Sequence, residues 1–477
     1  MNEDQDQSTI FAPSSAPGRA GVAVLRISGP QAGGALAALT RGPLPAPRQA
    51  SLRILRDPGS GERIDRALVL WFPGPQSFTG EDVAELHLHG GRAVIGAALA
   101  SLATLPGLCP AEAGQFTRRA FDHGKLDLTA AEGLADLIDA ETEAQRRQAL
   151  RQMEGGLARL TEGWAARLLR VSAHYEAAID FAEEELPEAL DRQALESAAA
   201  VAAEIEAALR DGRRGERLRD GLTAVILGPP NAGKSSLLNA LAQREAAIVS
   251  AMAGTTRDLI EVHLDLGGYP VTLVDTAGLR QTEEDGAAGP ISDGTAMGDA
   301  HWRIEQEGMA RARRRAAAAD LKLLVIDLEA ERSLDPDFLA LIDDQSLVVL
   351  NKADAVSADR VAEVRSAVET EGAARGAGCF VISAQSGQGL TALLGGLIQQ
   401  ARDCFEGGTG GSEITRARHR QALEDCAAAL RRAAAAALPE LVAEEIRLAV
   451  RALGRITGRV DVEDLLDIVF REFCIGK

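Results

Sequence analysis

A chain of 477 residues, 46% of them hydrophobic, has room for about three domains with real cores. It holds no run of about 18 or more apolar residues, so no transmembrane helix and no membrane attachment are expected. The formal charge of -19 is unlike that of a general nucleic-acid binder, so any RNA contact must be local or made together with a partner.

The opening Met1-Asn2-Glu3-Asp4-Gln5-Asp6-Gln7 is acidic and lacks an apolar signal core, which argues for a soluble cytoplasmic protein. Over the first 120 or so residues, strand-like runs at 21–29 and 66–72 and a helix-like stretch at 92–105 read as an α+β domain. Arg26 stands inside an apolar strand, and Glu85 lies beside Leu86-His87-Leu88-His89. A half-exposed sheet turning these side chains to solvent accounts for both, and composition assigns the domain no task. From 125 to about 218 the chain is helix-forming throughout, with Thr129-Ala130-Ala131-Glu132 as a capping box.

Next comes the apolar run Thr223-Ala224-Val225-Ile226-Leu227, followed at once by Gly228-Pro229-Pro230-Asn231-Ala232-Gly233-Lys234-Ser235. A strand, a phosphate-binding loop and a helix start are expected, with Asn231, Ala232, Gly233, Lys234, Ser235 and Ser236 around the phosphates of a nucleotide triphosphate. In such a loop the lysine supplies a point charge to the β and γ groups, and Ser235 ligates Mg2+. Gly254-Thr255-Thr256-Arg257-Asp258 suits a switch ordered by the magnesium nucleotide, with Thr256 a second Mg2+ ligand. A buried strand, Val271-Thr272-Leu273-Val274, then ends in Asp275-Thr276-Ala277-Gly278, whose carboxylate can hold the magnesium shell and whose Gly278 N–H can meet the γ-phosphate.

Asn351-Lys352-Ala353-Asp354 follows the strand-like Leu347-Val348-Val349-Leu350. Alone, such a string equally suits a turn after a strand. Downstream of a phosphate loop it reads guanine, because Asp354 can accept from the ring N–H and the exocyclic amine. Adenine offers neither, and an unpaired carboxylate costs ~1–3 kcal/mol or more. Phe380-Val381-Ile382-Ser383-Ala384 is a further strand, its Ser383-Ala384 end expected to pack on the base. GTP and GDP are thus the expected ligands. Helical sequence returns from about 415 to 453, and a shorter helix is expected after Gly454, near 462–473. The predicted architecture is an α+β N-terminal domain (1–123), a discontinuous α-helical bundle (124–218 and 404–477) and an inserted doubly wound α/β P-loop GTPase domain (219–403). Two separate helical domains are the alternative. Cys109, Cys379, Cys404, Cys426 and Cys474 show neither paired nor metal-binding spacing and suit a reducing compartment.

Several stretches together resemble one family. They are Ala16-Pro17-Gly18-Arg19 with Leu25-Arg26-Ile27-Ser28-Gly29; Thr79-Gly80-Glu81-Asp82-Val83 through His89-Gly90-Gly91; Gly114-Gln115-Phe116-Thr117 through Lys125-Leu126-Asp127-Leu128; the GTPase motifs; and the terminal Phe473-Cys474-Ile475-Gly476-Lys477. In order and spacing the chain resembles the MnmE, or TrmE, family of tRNA-modification GTPases over nearly its whole length. The resemblance implies a homodimer joined through N-terminal domains that bind 5-formyl- or methylene-tetrahydrofolate, with Arg26, Glu85, Lys125 and Lys477 at the folate positions. It implies K+ in place of an arginine finger, held by Asn231, Ser250, Met252 and Thr255 within a GTP site that includes Ser250. Glu305 matches the water-positioning glutamate; the extra polar residues from about 285 to 302 stand beside it, and Glu283 or Glu284 is the substitute candidate. Cys474 matches a cysteine needed for modification, either as a thiol nucleophile or as a packing thiol. An FAD-dependent MnmG-type partner and tRNA complete the implied assembly. It adds an aminomethyl or carboxymethylaminomethyl group to C5 of wobble uridine. A GTP switch that only times release, as in a ribosome-assembly factor, and a folate enzyme acting alone with a regulatory G domain are the rival readings.

Overall fold

The structure, a computed structural model, describes residues 8–180, 188–210, 213–243, 261–275, 319–330, 340–372, 378–406 and 413–460, with single positions 317, 338, 466, 469, 470, 473 and 476. The strands Thr9–Pro13 (β1), Ala20–Ser28 (β2), Ser51–Arg56 (β3), Arg63–Phe72 (β4), Val83–Gly90 (β5) and Leu108–Pro110 (β6) make one sheet, ordered β3-β4-β5-β2-β1-β6. Every pairing is antiparallel except β1 with β6. Period-two alternation divides its faces: Leu25, Ile27, Ala84, Leu86 and Leu88 bury against helices Ala32–Thr40 (α1) and Arg92–Ala103 (α2). On the opposite face Ile10 and Ala12 pack with Phe116 of Gln115–Asp122 (α3). Strands β2 and β4 and helix α2 stand where the sequence predicts them. β1, β3 and β6 were not foreseen, being three to six residues long with little pattern to read.

Helices Leu128–Asp139 (α4), Glu143–Met153 (α5), Gly156–Asp180 (α6), Glu188–Arg210 (α7) and Arg214–Asp220 (α8) follow. The capping box expected at Thr129–Glu132 is not the start of α4. Asp127 caps it, its Oδ1 accepting from the Ala130 N–H at 2.9 Å and from Thr129 Oγ1 at 2.6 Å, while Thr129 and Glu132 are buried inside the helix.

The nucleotide domain runs Leu222–Leu227 (β7), Lys234–Ala242 (α9), Glu261–Leu266 (β8), Tyr269–Asp275 (β9), Leu321–Asp327 (β10), Ser346–Asn351 (β11), Ala358–Gly372 (α10), Gly378–Val381 (β12) and Leu390–Glu406 (α11). Its sheet order is β12-β11-β10-β7-β9-β8, parallel except for the unforeseen edge strand β8. β7 shows the winding: Leu222, Ala224 and Ile226 face α9 and α11, whereas Val225 and Leu227 face the cluster holding Val364 and Val368 of α10. At ~1.5–3 kcal/mol per large aliphatic side chain, these two layers hold the sheet. The β8–β9 hairpin turns at Gly267 and Gly268, both at positive φ, and Gly268 O accepts from the Ala144 N–H of α5 at 3.1 Å.

Ala417–Ala435 (α12) and Pro439–Thr457 (α13) follow; of the shorter helix expected near 462–473, positions 466, 469 and 470 are described and helical, and most of the rest lies outside the described residues. Gly454 was expected to stop α13 but lies within it, where an added Cβ would come 2.8 Å from Val460 Cγ2; the helix stops at Gly458, at φ 83°. Val442, Ala443, Ile446, Ala449, Leu453 and Ile456 form a helical stripe, and α13 packs on α6. Trp164 of α6 in turn donates to Glu204 of α7 at 2.8 Å. Helices from before and after the nucleotide domain therefore form one discontinuous bundle, which sets aside two separate helical domains.

The chain divides into two compact units: Met1–Ile138, Leu150–Glu206 and Gln421–Lys477 in one, Asp139–Ala149 and Ala207–Arg420 in the other. Among the described residues no helix is long and apolar enough to cross a membrane.

Candidate functional site

The phosphate loop is a backbone construction. Gly233, at φ 89°, opens α9, and a Cβ on it would lie 2.2 Å from Asn351 Nδ2; one on Gly228 would lie 2.5 Å from Val325 O. Both positions need glycine to let the loop close against β10 and β11. Asn231 also takes positive φ, 64°, and its side chain is exposed. Lys234 Nζ donates to Gly228 O at 3.0 Å and Pro229 O at 2.8 Å, which holds its ammonium over the loop. Ser235 and Ser236 are exposed in the first turn of α9, where N–H groups and the helix dipole favour an anion. Asp275 ends β9 in register with Ile226, which places it at the carboxyl edge of the sheet beside the loop.

Asn351, 2% exposed, ties the two halves of the site together. Its Nδ2 donates to Ala232 O at 2.8 Å, and its Oδ1 accepts from the Ala384 N–H at 3.0 Å. The Ala353 N–H donates to Ile382 O at 3.0 Å, so the loops after β11 and β12 lie side by side. Ser383 is buried and its Oγ accepts from the Ser386 N–H, while Asp354 is exposed. Lys352, at φ 65°, donates to Asp327 at 2.8 Å and meets Glu329 at 3.2 Å; the hydrogen bond to Asp327, above all, pushes its pKa up. These two carboxylates were not foreseen, and only the register of β10 on β11 brings them to the lysine. Ser250, Met252, Thr255, Thr256, Thr276, Ala277, Gly278, Glu305, Cys474 and Lys477 lie outside the described residues, as do Glu283, Glu284 and the 285–302 stretch.

A second polar cluster lies on the sheet face of the N-terminal region away from α1 and α2. Arg26 and Glu85 are cross-strand partners on β2 and β5. Arg26 Nε and Nη2 both donate to Glu85 Oε1, at 3.1 and 3.0 Å, and the two side chains are 20% and 19% exposed. The guanidinium also sits over the rings of Phe78 and Phe116, at 5.2 and 5.8 Å. His87 Nε2 is 3.6 Å from Glu85 Oε2, beyond hydrogen-bond length. The solvent-facing explanation of Arg26 and Glu85 therefore gives way to a half-buried ion pair.

Ser28, two residues along the same face, bonds Thr79 and Glu81 at 2.7 Å each, and Arg119 holds both Glu81 oxygens at 3.0 and 2.9 Å. Beside this network, a Cβ on Gly80 would lie 3.4 Å from Lys125 Cε, and Lys125 itself is exposed. The end of the chain arrives here too: Gly476 O accepts from Ser14 Oγ at 2.8 Å, and Phe470 and Phe473 bury against Leu128 and Ala131 of α4. Sequence patterning missed Phe78, Phe116, His87 and the Arg119 network as parts of this cluster, since no spacing along the chain links them.

Comparison with known proteins covers both regions of the chain. The MnmE helical domain matches residues 128–474, and the GTP-binding protein TrmE N-terminus matches residues 9–125. The chain belongs to the MnmE family. A tRNA modification GTPase MnmE of Parvibaculum lavamentivorans is 56% identical over 473 residues, covering 98% of this chain and 100% of the relative. One from Paramagnetospirillum magneticum is 54% identical over 469 residues, covering 98% and 99%. A third relative, the mitochondrial 5-taurinomethyluridine-[tRNA] synthase subunit GTPB3 of Danio rerio, is 49% identical over 490 residues, covering 98% and 93%. Like its MnmE-family relatives, the chain is a GTPase of the tRNA-modifying kind.

Burial sets three of the thiols apart from reactive ones. It pushes Cys379 up to about 11, raises Cys404 and pushes Cys426 up to about 12, so none of the three carries thiolate near neutral pH.

Proposed function

We propose that this GTPase works as a homodimer with an FAD-dependent MnmG-type partner, in the cytoplasm, to add an aminomethyl or carboxymethylaminomethyl group to C5 of tRNA wobble uridine. The domains act as divided at 123/124, 218/219 and 403/404. The observation that carries this reading is a guanine-nucleotide domain set between two stretches of helical bundle, in a chain whose Gly476 bonds Ser14, directly after the strand β1 that pairs with the Arg26 strand β2.

In the nucleotide site Lys234 and the α9 N-terminus bind the phosphates, Asn351 braces the loop and Asp354 recognises guanine. The hydroxyl of Ser235, exposed at the start of α9, suits a hard divalent cation, and Asp275 ends β9 at the carboxyl edge of the same sheet. Ser235 and Thr256 would hold Mg2+, which would supply positive charge to the phosphates. Exposed Asn231 suits K+, with Ser250, Met252 and Thr255, and Glu305 positions water. In the N-terminal site both Arg26 donors use Oε1 of Glu85, which leaves Oε2 to accept from an amino-pyrimidone edge such as that of 5-formyl- or methylene-tetrahydrofolate. Lys125 and Lys477 meet its anionic tail. When bound, the folate supplies the one-carbon unit, and Cys474 takes part in the modification. The exposed Val22, Leu52, Ile54 and Leu68 on this sheet suit the dimer contact.

Mass spectrometry of nucleosides from cells with and without the protein tests the reading. Loss of the C5-aminomethyl class, restored by wild type but not by Asp275→Ala, is the expected result; an unchanged profile would move the function to a GTP switch in ribosome assembly.

A further inference from the structure

We propose that Asp327, with Glu329 beside it, is a positioning residue of the base site: it holds the Lys352 ammonium so that the lysine stem forms a fixed wall for guanine. The role presupposes that Asn351-Lys352-Ala353-Asp354 receives the base, as proposed above. β10 and β11 are parallel neighbours with Asp327 opposite Asn351, so their carboxyl ends emerge side by side. Lys352 comes next, in a left-handed conformation rare for a residue with a Cβ. Bonds on both sides hold it there: the Leu328 N–H to Asn351 O at 3.2 Å, the Ala353 N–H to Ile382 O at 3.0 Å and the Ala355 N–H to Lys352 O at 3.1 Å. Such a strained conformation persists only where the surroundings fix it, and it tends to occur at ligand clamps.

The backbone alone would leave four side-chain bonds free to rotate. Asp327 removes that freedom. It is 7% exposed, and its Oδ2 takes the Lys352 ammonium at 2.8 Å while its Oδ1 accepts from the Glu329 N–H at 2.9 Å. A carboxylate bound at both oxygens is a rigid anchor, whereas Glu329, with its side chain 49% exposed, adds a weaker, solvent-screened contact at 3.2 Å. With the ammonium tethered, the flat methylene stem is ordered before the nucleotide arrives, and that ordering need not be supplied by binding. The nearby carboxylates also neutralise the lysine, so its part in base binding is packing rather than charge.

The test uses the full chain, a fluorescent GDP analogue and steady-state GTP turnover. Asp327→Asn keeps the shape and the acceptor for the Glu329 N–H. It should raise the Kd for GDP and the KM for GTP by about fivefold to tenfold, with kcat within about twofold and an unchanged melting temperature. Lys352→Met should cost less in the Asp327→Asn background than in wild type. Unchanged KM, or fully additive effects of the two substitutions, would overturn the role. Asp354→Asn separates the two readings, because an amide at that position should move preference from guanosine to xanthosine nucleotides. If it does not, the base-site reading fails; if it does while Asp327→Asn keeps wild-type KM, only the positioning role fails. Should Asp327→Asn not fold, the half-exposed Glu329→Lys, which repels Lys352, must raise KM at least about threefold; an unchanged KM there would overturn the proposal.

Discussion

The nucleotide site and the Arg26–Glu85 cluster are built by opposite means. The first is made of consecutive residues at strand ends: glycines that admit a close backbone, a helix N-terminus, and Asn351 bonded to Ala232 and Ala384. The second is a side-chain assembly from β2, β5, α3, the loop at Gly80 and the end of the chain, with no backbone motif of its own. Parallel-sheet topology delivers its ligand edge automatically, because every strand ends on one side. An antiparallel face delivers a site only where particular cross-strand partners happen to be polar and are kept from water.

The contrast breaks first at Asn351. Asn351→Ala removes a buried donor and acceptor together and should weaken GDP binding roughly a hundredfold, measured by titration of a fluorescent analogue. Folate binding should be untouched. Gly476→Val is the counterpart for the other site. A Cβ there would sit 1.8 Å from Pro13 O at a φ of 97°, so the chain end cannot dock. Affinity for 5-formyl-tetrahydrofolate should fall about tenfold by calorimetry while GTP turnover stays within about twofold.

A smaller effect comes from Arg26→Met, which leaves Glu85 half-buried without its partner. It should lower stability by about 1–2 kcal/mol in chemical denaturation, a range reduced for the pair's partial exposure. Smallest is the acid response of Asp57, whose carboxyl is held down to about 2, chiefly by the Ser60 N–H and also by Ser101. Since its folded pKa is depressed, its stabilising contribution is complete above the ordinary 3.8 and is lost as pH falls towards about 2. Asp57→Asn should flatten the melting temperature over that window by about 1 °C, leaving it unchanged at pH 7 relative to pH 5.

Legibility in the sequence followed the same division. Strands β7, β9, β11 and β12 and the loops after them could be read from short apolar runs ending in Gly, Asn, Asp or Ser, because parallel strands covered on both faces are largely apolar; the loop after β10, with Asp327 and Glu329, has no such motif. The edge strand β8 reads Glu261-Val262-His263-Leu264-Asp265-Leu266, an alternation lost in the polar stretch before it. In the N-terminal sheet, Arg26 and Glu85 each look like a solvent-facing residue on a half-exposed strand; only the β2–β5 register makes them a pair. The cap of α4 was misplaced by two residues because Asp127 and Thr129 both suit the role, and burial of Thr129 decides between them. Gly454 reads as a stop by composition and is instead a point of close approach.

The most direct measurement expresses Glu85→Gln in cells lacking the protein, with wild type and Asn351→Ala alongside, and compares wobble-uridine nucleosides with the GTP turnover of each purified chain. Glu85→Gln should lose the C5-modified nucleosides while hydrolysing GTP at the wild-type rate, and Asn351→Ala should lose both. Full modification by Glu85→Gln would contradict a ligand-binding role for the N-terminal cluster and leave the nucleotide site as the chain's one functional centre in this reaction.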